Sequence, residues 1–228
     1  MPTYAIETPP ITTLPISGTD AVFPVRRVYC IGQNYAAHSI EMGGNPDRDP
    51  PFFFQKNPNN LDPSGEFPYP AQTKDVHHEL EIAVMLKSGG TDIALADAES
   101  HIFGYALSLD MTRRDLQAKQ KEMRRPWEVA KAFERSAPVG PIHLVEETGI
   151  LNDGALSLHV NGEVRQNADL NHMIWKVPEM ISYLSDYFEL AAGDVILSGT
   201  PAGVGSVQRG DVLELAADNL GTFRVTVT

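Results

Sequence analysis

The segment His77-His78-Glu79-Leu80-Glu81 places two carboxylates two residues apart, at the head of the apolar run Ile82-Ala83-Val84-Met85-Leu86. Alternate side chains of a strand share a face, so Glu79 and Glu81 point the same way, about 7 Å apart. Two like charges on one half-buried face need a neutralising partner, and a hard divalent cation such as Mg²⁺ prefers carboxylate oxygens. A solvated strand face carrying two exposed acids fits the same spacing. Asp110, at the end of the strand-like run from Ile102 to Leu109, would complete a three-carboxylate site if the two strands are neighbours.

Other residues pair at helical spacing. His38 and Glu41 lie three apart on a short helix expected from Asn34 to Met42. A histidine oriented by a carboxylate is the usual form of a water-activating base; a surface ion pair is the plain alternative. Arg114 and Gln117, also three apart, follow Asp110 and suit a substrate carboxylate, although many surface helices carry such a pair. Lys131, within Val129-Ala130-Lys131-Ala132-Phe133, is either a desolvated, substrate-facing ammonium or a snorkelling side chain. Gly199-Thr200-Pro201-Ala202-Gly203-Val204-Gly205 matches neither phosphate-binding fingerprint. It either brings amides and Thr200 to a ligand or is a structural turn. The sequence holds no G-x-S-x-G elbow and no Cys/His cluster with zinc spacing.

The elements that would position these groups are mostly strands. Val28–Ile31, Phe52–Lys56, the Glu79 run, Ile102–Leu109, Asp194–Leu197, Val212–Leu215 and Phe223–Val227 read as strands, and Leu156–Val164 as a hairpin around Asn161-Gly162. Helical patterns cover residues 112–123, interrupted by Arg125-Pro126-Trp127, and 178–190. Residues 1–25, rich in proline and threonine, read as an extended N-terminal arm of a single domain spanning 1–228. The fold class is α+β and β-rich.

Bulk properties narrow the partners. Lysine and arginine total 18 against 30 acids among 228 residues, a net charge of −12 that argues against nucleic acid or an anionic membrane surface. An anionic substrate stays open, because a bound cation reverses the local sign inside a cleft. The one cysteine, Cys30, forms no intramolecular disulfide and reads as a buried core thiol. No secretory signal or run of transmembrane length is visible, so a soluble, cytoplasmic protein is expected.

Four motifs occur together in family order: Gly32-Gln33-Asn34-Tyr35-Ala36-Ala37-His38, the His77–Glu81 segment, Leu109-Asp110-Met111-Thr112-Arg113-Arg114-Asp115, and Leu197-Ser198 followed by the Gly199–Gly205 loop. With them the chain resembles the fumarylacetoacetate hydrolase superfamily, and within it the small acylpyruvate hydrolases such as fumarylpyruvate hydrolase. The resemblance implies a mixed β-sandwich roll with short peripheral helices, usually a homodimer, with Mg²⁺ or Mn²⁺ held by Glu79, Glu81 and Asp110. It implies His38 and Glu41 as a catalytic dyad on a lid helix, Lys131 as the active-site lysine, and Arg114, Gln117 and Thr200 as substrate contacts. The implied reaction, in the breakdown of aromatic compounds, cleaves the C3–C4 bond of a 2,4-diketo acid. A His-activated water attacks, and a metal-stabilised pyruvate enolate leaves. Oxaloacetate decarboxylation, or hydration or isomerisation of a 2-oxo acid, is the alternative; a non-catalytic metal-stabilised dimer is disfavoured, since a structural metal needs no His38, Glu41 or Lys131. Relatives often place proline directly after the lysine corresponding to Lys56, whereas here Asn57 intervenes.

Overall fold

In a computed structural model, residues 3–37 and 50–228 are described. A six-stranded sheet forms the centre, in the order His143–Leu144, Ile102–Leu109, Leu80–Leu86, Asp194–Leu197, Arg27–Gly32, Phe52–Lys56. Neighbours run antiparallel except Asp194–Leu197 and Arg27–Gly32, which pair in parallel. A five-stranded sheet is built from Glu163–Asp169, Ala155–Val160, Val212–Ala217, Gly221–Val227 and Glu66–Phe67.

The period-two pattern of the central strands supplies two cores. Tyr29 and Ile31, Ile82 and Val84, and Tyr105 and Leu107 join Leu156, Leu158, Leu213 and Leu215 of the second sheet and Met180 and Leu184 of the Val177–Ser185 helix. The alternate residues Val28, Cys30, Ala83, Met85, Ala106 and Val195 pack on Leu14, Ile16, Phe23 and Val25. A strand buried on both faces reads as a continuous apolar run, and Leu80–Leu86 does.

Part of the expected N-terminal arm is folded. Thr13–Pro15 and Val22–Pro24 pair antiparallel, and Leu14 and Phe23 are buried beneath them. Their alternation is too short to stand out among the surrounding prolines. Asn161 and Gly162 take positive φ values of 52° and 83°, as a tight hairpin turn with the strand twist requires. The expected helix at 112–123 spans Arg114–Glu122. Cys30 is buried. No helix among the described residues is long and apolar enough to cross a membrane.

Candidate active site

Glu79, Glu81 and Asp110 converge where the Leu80–Leu86 and Ile102–Leu109 strands meet. These strands are paired, with Glu81 opposite Ser108, so the end of one delivers Asp110 beside the start of the other. The Asp110 N–H donates to the Glu79 carbonyl at 2.8 Å. One carboxylate oxygen from each residue lies within 4.8 Å of the others, and all three side chains are buried. The solvated-face alternative therefore fails, since no water shell is left to stabilise these charges.

The chain supplies counter-charges instead. Lys131 Nζ donates to Glu79 Oε2 at 2.7 Å, to Asp110 Oδ2 at 2.6 Å and to Thr112 Oγ1 at 2.7 Å. Lys131 is 2 % exposed, which rules out snorkelling. Burial alone would drag its ammonium pKa down, but Asp110 and then Glu79 outweigh it and hold the group above its ordinary value. Arg114 donates to Glu79 Oε1 and, at 2.6 Å, to Gln117 Oε1. Glu81 accepts from the Gly199 N–H at 2.9 Å. Burial first, then the Asp110 and Glu79 charges, push Glu81 well above the usual carboxylate range; Lys131 and Gly199 pull the other way.

Lys56 belongs to the site despite the shifted proline. Its Nζ lies 2.8 Å from Asp110 Oδ1 and 2.9 Å from Ser136 Oγ, and it also donates to the Lys131 carbonyl. It thus holds both a carboxylate and the backbone that carries the second lysine. Sequence reasoning missed this role, although a lysine closing an aromatic strand was the visible signal. Lys121 was missed as well. It continues the Arg114 and Gln117 helix face at i+7 and lines the same pocket, with its Nζ 5.2 Å from the Trp127 ring centre.

The pocket above the carboxylates encloses about 360 Å³ with its mouth included, and is walled by Phe52, Phe54 and Trp127. The three phenylalanines are divided by strand alternation: Phe53 packs on the opposite face against Tyr183 and Phe188. Thr200 and Gln33 complete the lining. Both histidines of the motif turn elsewhere. His77 is 3.3 Å from Arg114 Nε and 3.0 Å from Asp75, while His78 meets Gln166 at 3.0 Å. Asn34 spends its amide on Trp175, accepting from its N–H at 2.8 Å, and on the Ser198 carbonyl at 2.8 Å. His38 and Glu41 lie outside the described residues.

The model of the fumarylacetoacetate (FAA) hydrolase C-terminal family matches residues 27–228. The chain belongs to the fumarylacetoacetate hydrolase family. Among solved structures of this fold, the fumarylpyruvate hydrolase from Pseudomonas aeruginosa, in complex with Mn²⁺ and pyruvate, is 48 % identical, covers 99 % of each chain and superposes with a TM-score of 0.96. An oxaloacetate tautomerase of Escherichia coli is 41 % identical over 86 % of this chain and 90 % of its own length. A mitochondrial oxaloacetate decarboxylase of Dictyostelium discoideum is 37 % identical over 86 % of this chain and 91 % of its own length. The protein is thus an enzyme of the fumarylacetoacetate hydrolase superfamily, a hydrolase or a related tautomerase or decarboxylase.

Proposed function

We infer that this enzyme is a metal-dependent acylpyruvate hydrolase, with fumarylpyruvate as its substrate and fumarate and pyruvate as products. The observation that carries the reading is the buried carboxylate trio in a pocket that Arg114, Gln117 and Lys121 also line. Three hard oxygen donors fit Mg²⁺ or Mn²⁺, and Glu79, Glu81 and Asp110 would hold it. The P. aeruginosa enzyme, matched over nearly its whole length, was solved with Mn²⁺ and pyruvate. Such a cation supplies a Lewis acid to the 2-oxo acid end of the substrate.

Charge supports a doubly anionic substrate. Lys56, Lys131 and Arg114 pair with Asp110 and Glu79, and Glu81 accepts from the Gly199 N–H, so with all three acids ionised this inner cluster is formally neutral before a cation is added. A divalent cation makes it +2, which balances fumarylpyruvate, an acid at both ends. Lys121, which lines the same pocket, suits its distal carboxylate. The resemblance assigns the base to His38, with Glu41 as its partner; it would take a proton from water, and the resulting hydroxide would add to the C4 carbonyl. The C3–C4 bond then breaks, releasing fumarate and leaving its electron pair on C3 as pyruvate enolate, which is protonated to pyruvate. Lys131 holds positive charge beside the developing enolate.

Pyruvate release from fumarylpyruvate and from oxaloacetate, measured side by side with Mg²⁺ and with EDTA, tests the assignment. Fast, EDTA-sensitive fumarylpyruvate cleavage with slow oxaloacetate turnover is expected. The identities to oxaloacetate tautomerase and decarboxylase give the second reading, in which oxaloacetate ranks first or only its keto–enol interconversion is accelerated. His38→Ala should keep metal and pyruvate binding while losing hydrolysis; loss of metal binding would sink the general-base role.

A further inference from the structure

Gln166 is fully buried on a strand otherwise turned toward solvent, Glu163–Asp169, where no other residue is buried. The hairpin register shifts here. Leu158 pairs with Gln166 and His159 with Val164, so Arg165 is an extra residue. A bulge re-aims the side chains beside it, and Gln166 turns inward between the second sheet and the site. The Gly199–Gly205 loop lies directly on the bulge: a Cβ at Gly203 would sit 2.1 Å from the Arg165 carbonyl oxygen.

The orientation of the Gln166 amide follows from partners whose roles cannot be exchanged. The Leu80 N–H can only donate, and does so to Oε1 at 3.0 Å. The Pro201 carbonyl can only accept, from Nε2 at 2.9 Å. The second hydrogen on Nε2 therefore goes to Thr200 Oγ1 at 2.8 Å, and His78 Nδ1, 3.0 Å from Oε1, carries a proton. Since Thr200 Oγ1 already accepts along the Gln166 direction, its own proton points elsewhere. Among the described residues nothing accepts that proton, and Thr200 lines the carboxylate pocket.

We propose that Gln166 is a positioning residue that fixes Thr200 as a hydrogen-bond donor toward an oxygen of the anionic ligand. The proposal rests on the 2-oxo acid reading and adds a polarity to it: the Thr200 position selects acceptor groups, carboxylate or keto oxygen, over hydroxyl donors. One buried amide ties that polarity to His78 and Leu80, the residues on either side of Glu79.

Oxalate titrated into the Mg²⁺-loaded protein and its variants is the test. Glu at 166 still accepts from Leu80 but takes the Thr200 proton for itself. Gln166→Glu and Thr200→Val should each weaken oxalate binding about tenfold, the scale of one hydrogen bond to a charged acceptor. The double variant should bind no more weakly than Thr200→Val alone. Wild-type affinity in Gln166→Glu, or losses that multiply in the double variant, would overturn the proposal. If Gln166→Glu does not fold, Gln166→Met with Thr200→Val completes the same cycle. A ¹⁵N spectrum reads the polarity without ligand, since His78 Nδ1 must carry a proton; an unprotonated Nδ1 overturns the assignment. Wild type that binds no oxalate but keeps that proton would defeat the 2-oxo acid reading and leave the Gln166 polarity supported.

Discussion

Lys131 shows how a buried charge is tolerated: its ammonium lies between Glu79 and Asp110 at ordinary hydrogen-bond distances, so neither partner is stranded. Removing one member of such a cluster leaves an uncompensated charge and typically costs about 3–5 kcal/mol. Lys131→Met should therefore lower the melting temperature, and Mg²⁺ should raise it further in the variant than in wild type. An equal Mg²⁺ response in both proteins would refute this account of the cluster. Lys121 lines the same pocket, where burial lowers its pKa first and the nearby Arg114 charge adds to that effect. Lys121→Met should raise KM several-fold for fumarylpyruvate and leave a monoanionic acylpyruvate nearly unaffected. Equal changes for both substrates would remove Lys121 from distal carboxylate recognition.

At the level of elements, the glycine loop after Asp194–Leu197 sets how closely the two sheets approach the site. Gly203 has φ +95° and no room for a Cβ beside the Arg165 carbonyl. Gly203→Ala should destabilise by about 2 kcal/mol or more through backbone strain and steric displacement, read as a lower urea midpoint. An unchanged midpoint would show that the loop is free to move away. The Glu79 and Glu81 pair and the Arg114 helix face were legible in sequence because each rests on a fixed local period, two for strands and between three and four for helices, whereas Asp110 joined them only through the family motifs. Lys56 and Gln166 were harder to see because their roles depend on chain-distant partners. Lys56 meets Asp110 across 54 residues, and Gln166 is aimed by a bulge that no local spacing announces. The Thr13–Pro24 hairpin was hidden for a similar reason, because its buried residues matter only once the central sheet offers them a surface.

For the molecule as a whole, two buried groups make stability respond to pH with opposite signs. Glu81 has a raised pKa in the folded protein, so its contribution is fully present below its ordinary value of 4.5 and is lost as pH rises through the raised value. His78 is lowered from 6.5 to about 4, chiefly by burial, so its contribution is present above 6.5 and is lost as pH falls toward 4. Urea midpoints of metal-free protein should fall at both ends of the range. Glu81→Gln should flatten the loss on raising the pH and His78→Gln the loss on lowering it, and Mg²⁺ should suppress the former by favouring ionised Glu81. A loss on raising the pH that is unchanged in Glu81→Gln would belong to another group. The placement of Asp194–Leu197 between Leu80–Leu86 and Arg27–Gly32 also has a consequence for biosynthesis. While the chain is still emerging from the ribosome, its first two-thirds already carry all three acids, but the strand that joins the halves of the sheet has yet to be made. The Gly199 N–H that meets Glu81 arrives with that strand. A nascent chain truncated before residue 194 should therefore hold no ordered cation site, and loading should be a late, post-synthetic event.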